Sequence, residues 1–139
     1  MAVDEREFAA PFAALHRETS ARYAVIARRF GLTSQQTQLL CILAGDQPSF
    51  GELAARLGCD KTNVTGMVDR LERKGLLARE TDPRDRRVSR IRLTTKGWAL
   101  GDKLRAEFDA AMAHRCAALS TKDRAELLRL LTALAASGS

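Results

Sequence analysis

The chain has 139 residues, 45% of them apolar and 29% charged, with a net charge of +6; such proportions suit a soluble globular protein with a modest core. Aromatic residues reach only 5%, which argues against a stacking platform for single strands, and the longest apolar stretch, residues 39–44, is far too short to span a bilayer. Three scattered cysteines (Cys41, Cys59, Cys116) and two histidines (His16, His114) form neither a disulfide framework nor a zinc pair, so no cofactor is expected.

The N-terminus opens on Asp4, Glu5 and Glu7 rather than a basic region followed by an apolar block, so no signal peptide is expected and the cytoplasm is the expected compartment. Residues 5–30 place Phe8, Phe12, Leu15, Thr19, Tyr23, Ile26 and Phe30 at three- and four-residue spacing, the apolar stripe of one long helix. Pro11 either begins that helix proper or kinks it, and Gly31 ends it. Thr33-Ser34-Gln35-Gln36 predicts a capping box before the apolar run 39–43; this second helix stops near Gly45, ahead of a turn at Asp46-Gln47-Pro48. Ser49-Phe50-Gly51-Glu52 predicts another capping box, opening a short helix with Leu53, Ala54 and Leu57 inward and Gly58 behind it. Asp60 caps a helix over 61–74 that buries Val64, Met67, Val68 and Leu71 and stops at Gly75. Two short helices joined through Gly58-Cys59-Asp60 make a helix-turn-helix.

After Gly75 the period changes to two. Residues 76–81 and 88–93 predict a hairpin, with Ser89, Ile91 and Leu93 on one face of its second strand and Val88, Arg90 and Arg92 on the other. Thr94 or Thr95 caps a long helix carrying Trp98, Leu100, Leu104, Phe108, Ala111 and Met112, and Ser120 starts a last helix with Leu127, Leu130, Leu131 and Leu134. The expected fold is mainly α with a small antiparallel β-hairpin wing: a winged helix-turn-helix over 32–94 between dimerisation helices over 1–31 and 95–139. The flanking stripes have no large domain of their own to cover, and self-association would bury them; packing onto the winged helix within one chain is the alternative.

The charge is localised. Residues 1–59 and 106–139 are each electrically balanced, whereas 60–105 hold thirteen basic against seven acidic side chains, the whole excess. Such a block reads as a polyanion contact. On the outward face of the 61–74 helix lie Lys61, Thr62, Asn63, Thr65, Gly66 and Arg70: Asn suits adenine, Thr reads either base edge or the thymine methyl, and Lys or Arg reads guanine or holds phosphate. Gly66 lets the backbone approach closely. The hairpin tip gathers Arg84, Arg86 and Arg87 on a ribbon narrow enough for a minor groove. Asp82 and Asp85 are expected to brace an arginine or cap the turn.

These stretches resemble the MarR family of bacterial transcription regulators. The likeness rests on residues 51–57 (GELAARL), 60–65 (DKTNVT), 68–76 (VDRLERKGL), 82–87 (DPRDRR) and 93–97 (LTTKG). It implies a homodimer on a pseudo-palindromic operator, with the 61–74 helix in the major groove and an arginine of the tip in the minor groove. It also implies repression relieved by a small phenolic or anionic ligand, or by cysteine oxidation. Thr95 departs from the Glu common in relatives, which weakens local capping only.

For a ligand between the dimer helices and the winged helix, the candidates are His16, Arg17, Tyr23 and Arg28, where a cation or phenol meets an acidic molecule; exposed helix positions and a core role for Tyr23 are the plainer reading. Cys41 reads as core, Cys59 as a hydrophobic staple with Val64, and Cys116 as a residue able to pair across a two-fold. Two alternatives stay open: a winged helix that binds protein without sequence-specific DNA binding, and a cysteine redox-sensing regulator. No nucleophile with a matched base, phosphate-cradling glycine loop or metal set points to an enzyme.

Overall fold

A computed structural model describes residues 2–138. Six α-helices and one hairpin follow each other: α1 (Ala9–Arg29), α2 (Ser34–Gly45), α3 (Phe50–Leu57), α4 (Lys61–Arg73), β1 (Leu77–Thr81), β2 (Ser89–Leu93), α5 (Thr95–Arg115) and α6 (Thr121–Ser137). The chain divides into two compact units after Phe108, inside α5.

The expected single helix over 5–30 is corrected at its start. Asp4 accepts the Arg6 N–H and caps a separate 3₁₀ turn, Glu5–Glu7, so α1 begins at Ala9. Pro11 is therefore the third residue of α1, where a missing N–H leaves no helical bond unmade. At α2 the capping box forms in full: Thr33 Oγ1 accepts the Gln36 N–H at 3.1 Å, and Gln36 Oε1 accepts the Thr33 N–H at 3.0 Å. At α3 only half of the expected box forms. Ser49 Oγ accepts the Glu52 N–H, but the Glu52 carboxylate takes the Ser49 hydroxyl rather than the backbone. Gly58 ends α3 with φ +65° and Gly75 follows α4 with φ +74°, a conformation that costs a residue with a β-carbon about 1 kcal/mol or more.

The core is one cluster. Leu39, Leu40 and Leu43 of α2, Leu53 and Leu57 of α3, Val64, Met67, Val68 and Leu71 of α4 and Leu104 of α5 meet Leu77, Ile91 and Leu93 of the hairpin. The strands pair antiparallel from Leu77 opposite Leu93 to Thr81 opposite Ser89. Tyr23 of α1 stacks on Phe108 of α5, ring centres 4.2 Å apart, and Arg29 pairs with Glu107 at 2.7 Å. Of the two expected caps for α5, Thr94 serves: its hydroxyl accepts the Gly97 N–H and donates to the Gly75 carbonyl at 2.6 Å. Gly97 and Gly101 are buried one turn apart, and a β-carbon on Gly97 would overlap the Leu76 carbonyl oxygen.

Phe8, Phe12 and Leu15 of α1 are exposed. In the second unit, α6 exposes Leu128, Leu130, Leu131 and Leu134 and buries no residue. The stripe predicted for α1 is thus uncovered at its N-terminal end but buried at Ile26, that of α5 is buried at Leu104, and most of that of α6 is exposed.

Candidate nucleic-acid interface

The buried stripe of α4 fixes its roll. At about 100° per residue, the side opposite Val64, Met67, Val68 and Leu71 is the row Thr62, Gly66, Asp69, Arg73. Asn63, Arg70 and Lys74 flank it on one side; Lys61, Thr65 and Glu72 flank it on the other. Asp60 caps the helix by accepting the Asn63 N–H at 2.9 Å; the side chains of Thr62 and Asn63 have no partner among the described residues. Thr65 differs: its hydroxyl donates to the Lys61 carbonyl at 2.9 Å, so it offers outward only an acceptor and a methyl. Beside Gly66 a β-carbon would meet no atom of the chain within 4 Å.

The hairpin tip is held by its two aspartates. Asp82, only 8% exposed, accepts the Arg84 N–H at 2.8 Å and Arg90 Nε at 3.0 Å. Asp85 accepts both the N–H and the guanidinium of Arg87 at 3.1 Å. The backbone closes between them through Asp82 N–H to Val88 O and Val88 N–H to Asp85 O. Both carboxyls are held below the usual carboxylate range, Asp82 by the Arg84 N–H first and then Arg90, Asp85 by the Arg87 guanidinium and then its N–H. Each aspartate thus both caps the turn and braces an arginine. The arginine that Asp82 braces is Arg90 of β2, outside the three expected at the tip.

Internal pairing sorts the basic residues. Arg79 of β1 reaches Asp69 and Glu72 of α4, the latter at 2.9 Å; Arg92 pairs with Glu80 at 2.8 Å, Arg90 with Asp82 and Arg87 with Asp85. These four arginines, with the Asp60 cap, engage every carboxylate between residues 60 and 93. Within residues 60–93, the basic residues that keep no carboxylate partner are Lys61, Arg70, Arg73, Lys74, Arg84 and Arg86. Four of the sequence-expected contacts (Lys61, Arg70, Arg84, Arg86) belong to this set. Arg87 does not, although it remains highly exposed. Arg73 and Lys74 escaped the sequence reading. A helical wheel alone would have found Arg73, which continues the row of Thr62 and Gly66.

The four ligand candidates are not brought together. On α1, His16 and Tyr23 share a face, while Arg17 and Arg28 lie roughly a third of a turn away. His16, Arg17 and Arg28 are exposed and Tyr23 is half-buried against Phe108. Two cavities of the first unit lie elsewhere. One of about 470 Å³ sits between the start of α3 and β2, and one of about 570 Å³ lies between the α1–α2 corner and the end of α4. Cys41, Cys59 and Cys116 are half-buried thiols. Cys41 and Cys59 pack against the core, as a staple to Val64 requires. Among the described residues no group of His, Cys, Asp or Glu is placed to hold a metal ion, and no helix is long and apolar enough to cross a membrane.

Known proteins share this arrangement. The MarR family model matches residues 32–89, from the cap of α2 into the start of β2. The homoprotocatechuate degradative operon repressor of Escherichia coli is 33% identical over 116 residues, covering 82% of this chain and 78% of its own. Among solved structures, Staphylococcus aureus MepR in its DNA-binding conformation superposes with a TM-score of 0.79 at 24% identity, covering 95% of this chain and 98% of that one. CouR from Rhodococcus jostii, bound to p-coumaroyl-CoA, gives 0.77 at 25% identity, covering 95% and 92%. The fold that positions the α4 row and the braced tip is therefore that of a known group, and the chain belongs to the MarR family of transcription regulators.

Proposed function

We propose that the protein is a dimeric, sequence-specific DNA-binding repressor that reads a pseudo-palindromic operator. In this reading α4 lies in the major groove, with Asn63, Thr62 and Thr65 at base edges, Gly66 giving close approach, and Lys61 and Arg70 on phosphate or guanine. The 82–87 tip enters the minor groove through Arg84 and Arg86, with Arg87 beside them and Asp82 and Asp85 holding the loop. The observation that carries this is the pairing pattern: within residues 60–93, where the charge excess lies, the cations left over after internal ion pairs lie on α4 and the tip.

Residues 1–31 and 95–139 supply the dimer contacts around the 32–94 reader; the uncovered apolar residues of α1 and α6 support this. For the effector, the names of the E. coli relative and of the CouR complex point to an aromatic acid or its thioester. The α1 face bearing His16 and Tyr23, with Arg17 and Arg28 beside it, has the chemistry to hold such a molecule. The test is duplex affinity at two salt concentrations. A dimer that places six or more cations on phosphates loses about 10³-fold or more between 50 and 200 mM salt. A flat response refutes DNA binding and leaves a protein-interaction module.

A further inference from the structure

The outward row of α4 carries one residue of the wrong sign for a polyanion. Asp69 stands on that row between Gly66 and Arg73, and Glu72 lies beside it, three residues on. Residues three apart on a helix are surface neighbours, so the two carboxylates make one acidic patch. Like charges brought together across an interface are strongly unfavourable, and a bare patch here would oppose the approach of phosphates.

Arg79 closes the patch. It stands opposite Ile91 in the hairpin, and residues opposite each other in an antiparallel pair share a face. Ile91 is buried, so Arg79 leaves β1 on the core-facing side, toward α4. Its Nη1 donates to Glu72 Oε1 at 2.9 Å, and its Nη2 donates to Asp69 Oδ1. The planar fork of a guanidinium spans two carboxylates at once, which a compact ammonium does less well. The Arg79 side chain is 31% exposed, against 90% for the paired Arg87 of the tip, so Arg79 is directed inward rather than offered to a groove.

Resting on the DNA-binding reading above, we propose that Arg79 is a positioning residue for the duplex that acts through Asp69 and Glu72. It cancels part of their charge and holds both carboxylates against β1, so that the α4 row can approach phosphates. One arginine against two carboxylates leaves one negative charge on this flank. Removing the arginine doubles that charge, and removing the carboxylates reverses its sign.

Three variants separate the effects. Asp69→Asn/Glu72→Gln keeps an oxygen acceptor for each arm of Arg79, so the geometry survives while the negative charge goes. Arg79→Ala bares the carboxylates, and the triple variant Arg79→Ala/Asp69→Asn/Glu72→Gln removes all three charges. Affinity for a generic duplex is measured by fluorescence anisotropy at low and at physiological salt, with thermal melting and sizing to check fold and dimer. Arg79→Ala is expected to weaken binding by about tenfold at low salt, and by less at physiological salt, where the bared charges are screened. The triple variant recovers wild-type affinity or better, and Asp69→Asn/Glu72→Gln binds more tightly than wild type. A direct phosphate contact by Arg79, or a purely structural bond, leaves the triple variant as weak as Arg79→Ala, and that result overturns the proposal. So does a folded Asp69→Asn/Glu72→Gln protein that binds no better than wild type, a readout that stands even where Arg79→Ala does not fold. A wild type without duplex affinity refutes the repressor reading and this inference with it. Duplex binding by the wild type with no gain on removing the carboxylates refutes this inference alone.

Discussion

Gly66→Ala separates folding from DNA binding at one atom. Gly66 lies in the interior of α4 without a positive φ, and a β-carbon there meets nothing in the chain. The substitution therefore gains helix propensity and restricts the unfolded chain without a clash, a stabilisation of about 0.8–1 kcal/mol. For a domain of this size that raises Tm by about 2–6 °C, measured at one fixed protomer concentration because a dimer's Tm depends on it. On DNA the same methyl stands on the outermost row, between Thr62 and Arg73, where it wedges α4 away from the groove floor. An affinity loss of about tenfold, or roughly 1.4 kcal/mol, is expected by fluorescence anisotropy on a fragment selected from genomic DNA. A higher Tm with unchanged affinity would refute close approach at Gly66. A lower Tm would refute the packing argument itself.

The same substitution at Gly97 has the opposite sign for stability. The added methyl overlaps the Leu76 carbonyl, and the forced shift costs about 1–3 kcal/mol, read by urea denaturation; a stability equal to wild type contradicts the close approach of α5. Arg86→Ala is expected to weaken operator binding by at least tenfold with the dimer intact on sizing, and Arg87→Ala by less, because Asp85 already holds that guanidinium; equal losses contradict the sorting by internal pairs. Asp82 carries a pH prediction. Its folded-state pKa lies below the ordinary value, so its bonds contribute stability above about pH 4 and are lost only as pH falls through the lower folded value. The Arg84 amide resonance should stay constant from pH 8 to about pH 4 and move only below; a midpoint at or above the ordinary carboxylate value refutes the bracing.

What was legible in the sequence was what is settled within a few residues. Asp60, Thr33 and Ser120 cap the helices that follow them, Gly58 and Gly75 end theirs, and the alternation of Ile91 and Leu93 fixes the inner face of β2. The α3 box misled because Ser49 and Glu52 satisfy the motif while the carboxylate prefers the hydroxyl. The cation inventory was not legible. Whether an arginine faces DNA or is neutralised depends on which carboxylate the fold brings near, and Arg79 meets Asp69 ten residues away only because β1 folds back along α4. Arg73 and Arg79 look alike in the chain, and their surroundings make one a free charge and the other a strut. The spread of the ligand candidates around α1 has a similar origin: a helix turns residues 16 and 17 about 100° apart however well their chemistry matches.

The junction of α4, β1 and α5 has a mechanical consequence. Thr94 and Lys96 bind the Gly75, Leu76 and Lys74 carbonyls, so three bonds weld the root of α5 to the far end of α4. A thirteen-residue helix held at that end is a lever about 20 Å long. A 10° twist arriving along α5 swings Thr62 at the opposite end by about 3 Å, the full length of a hydrogen bond. A disturbance of α5 too small to unpack the core is thus geared up to the scale on which a base contact is made or lost.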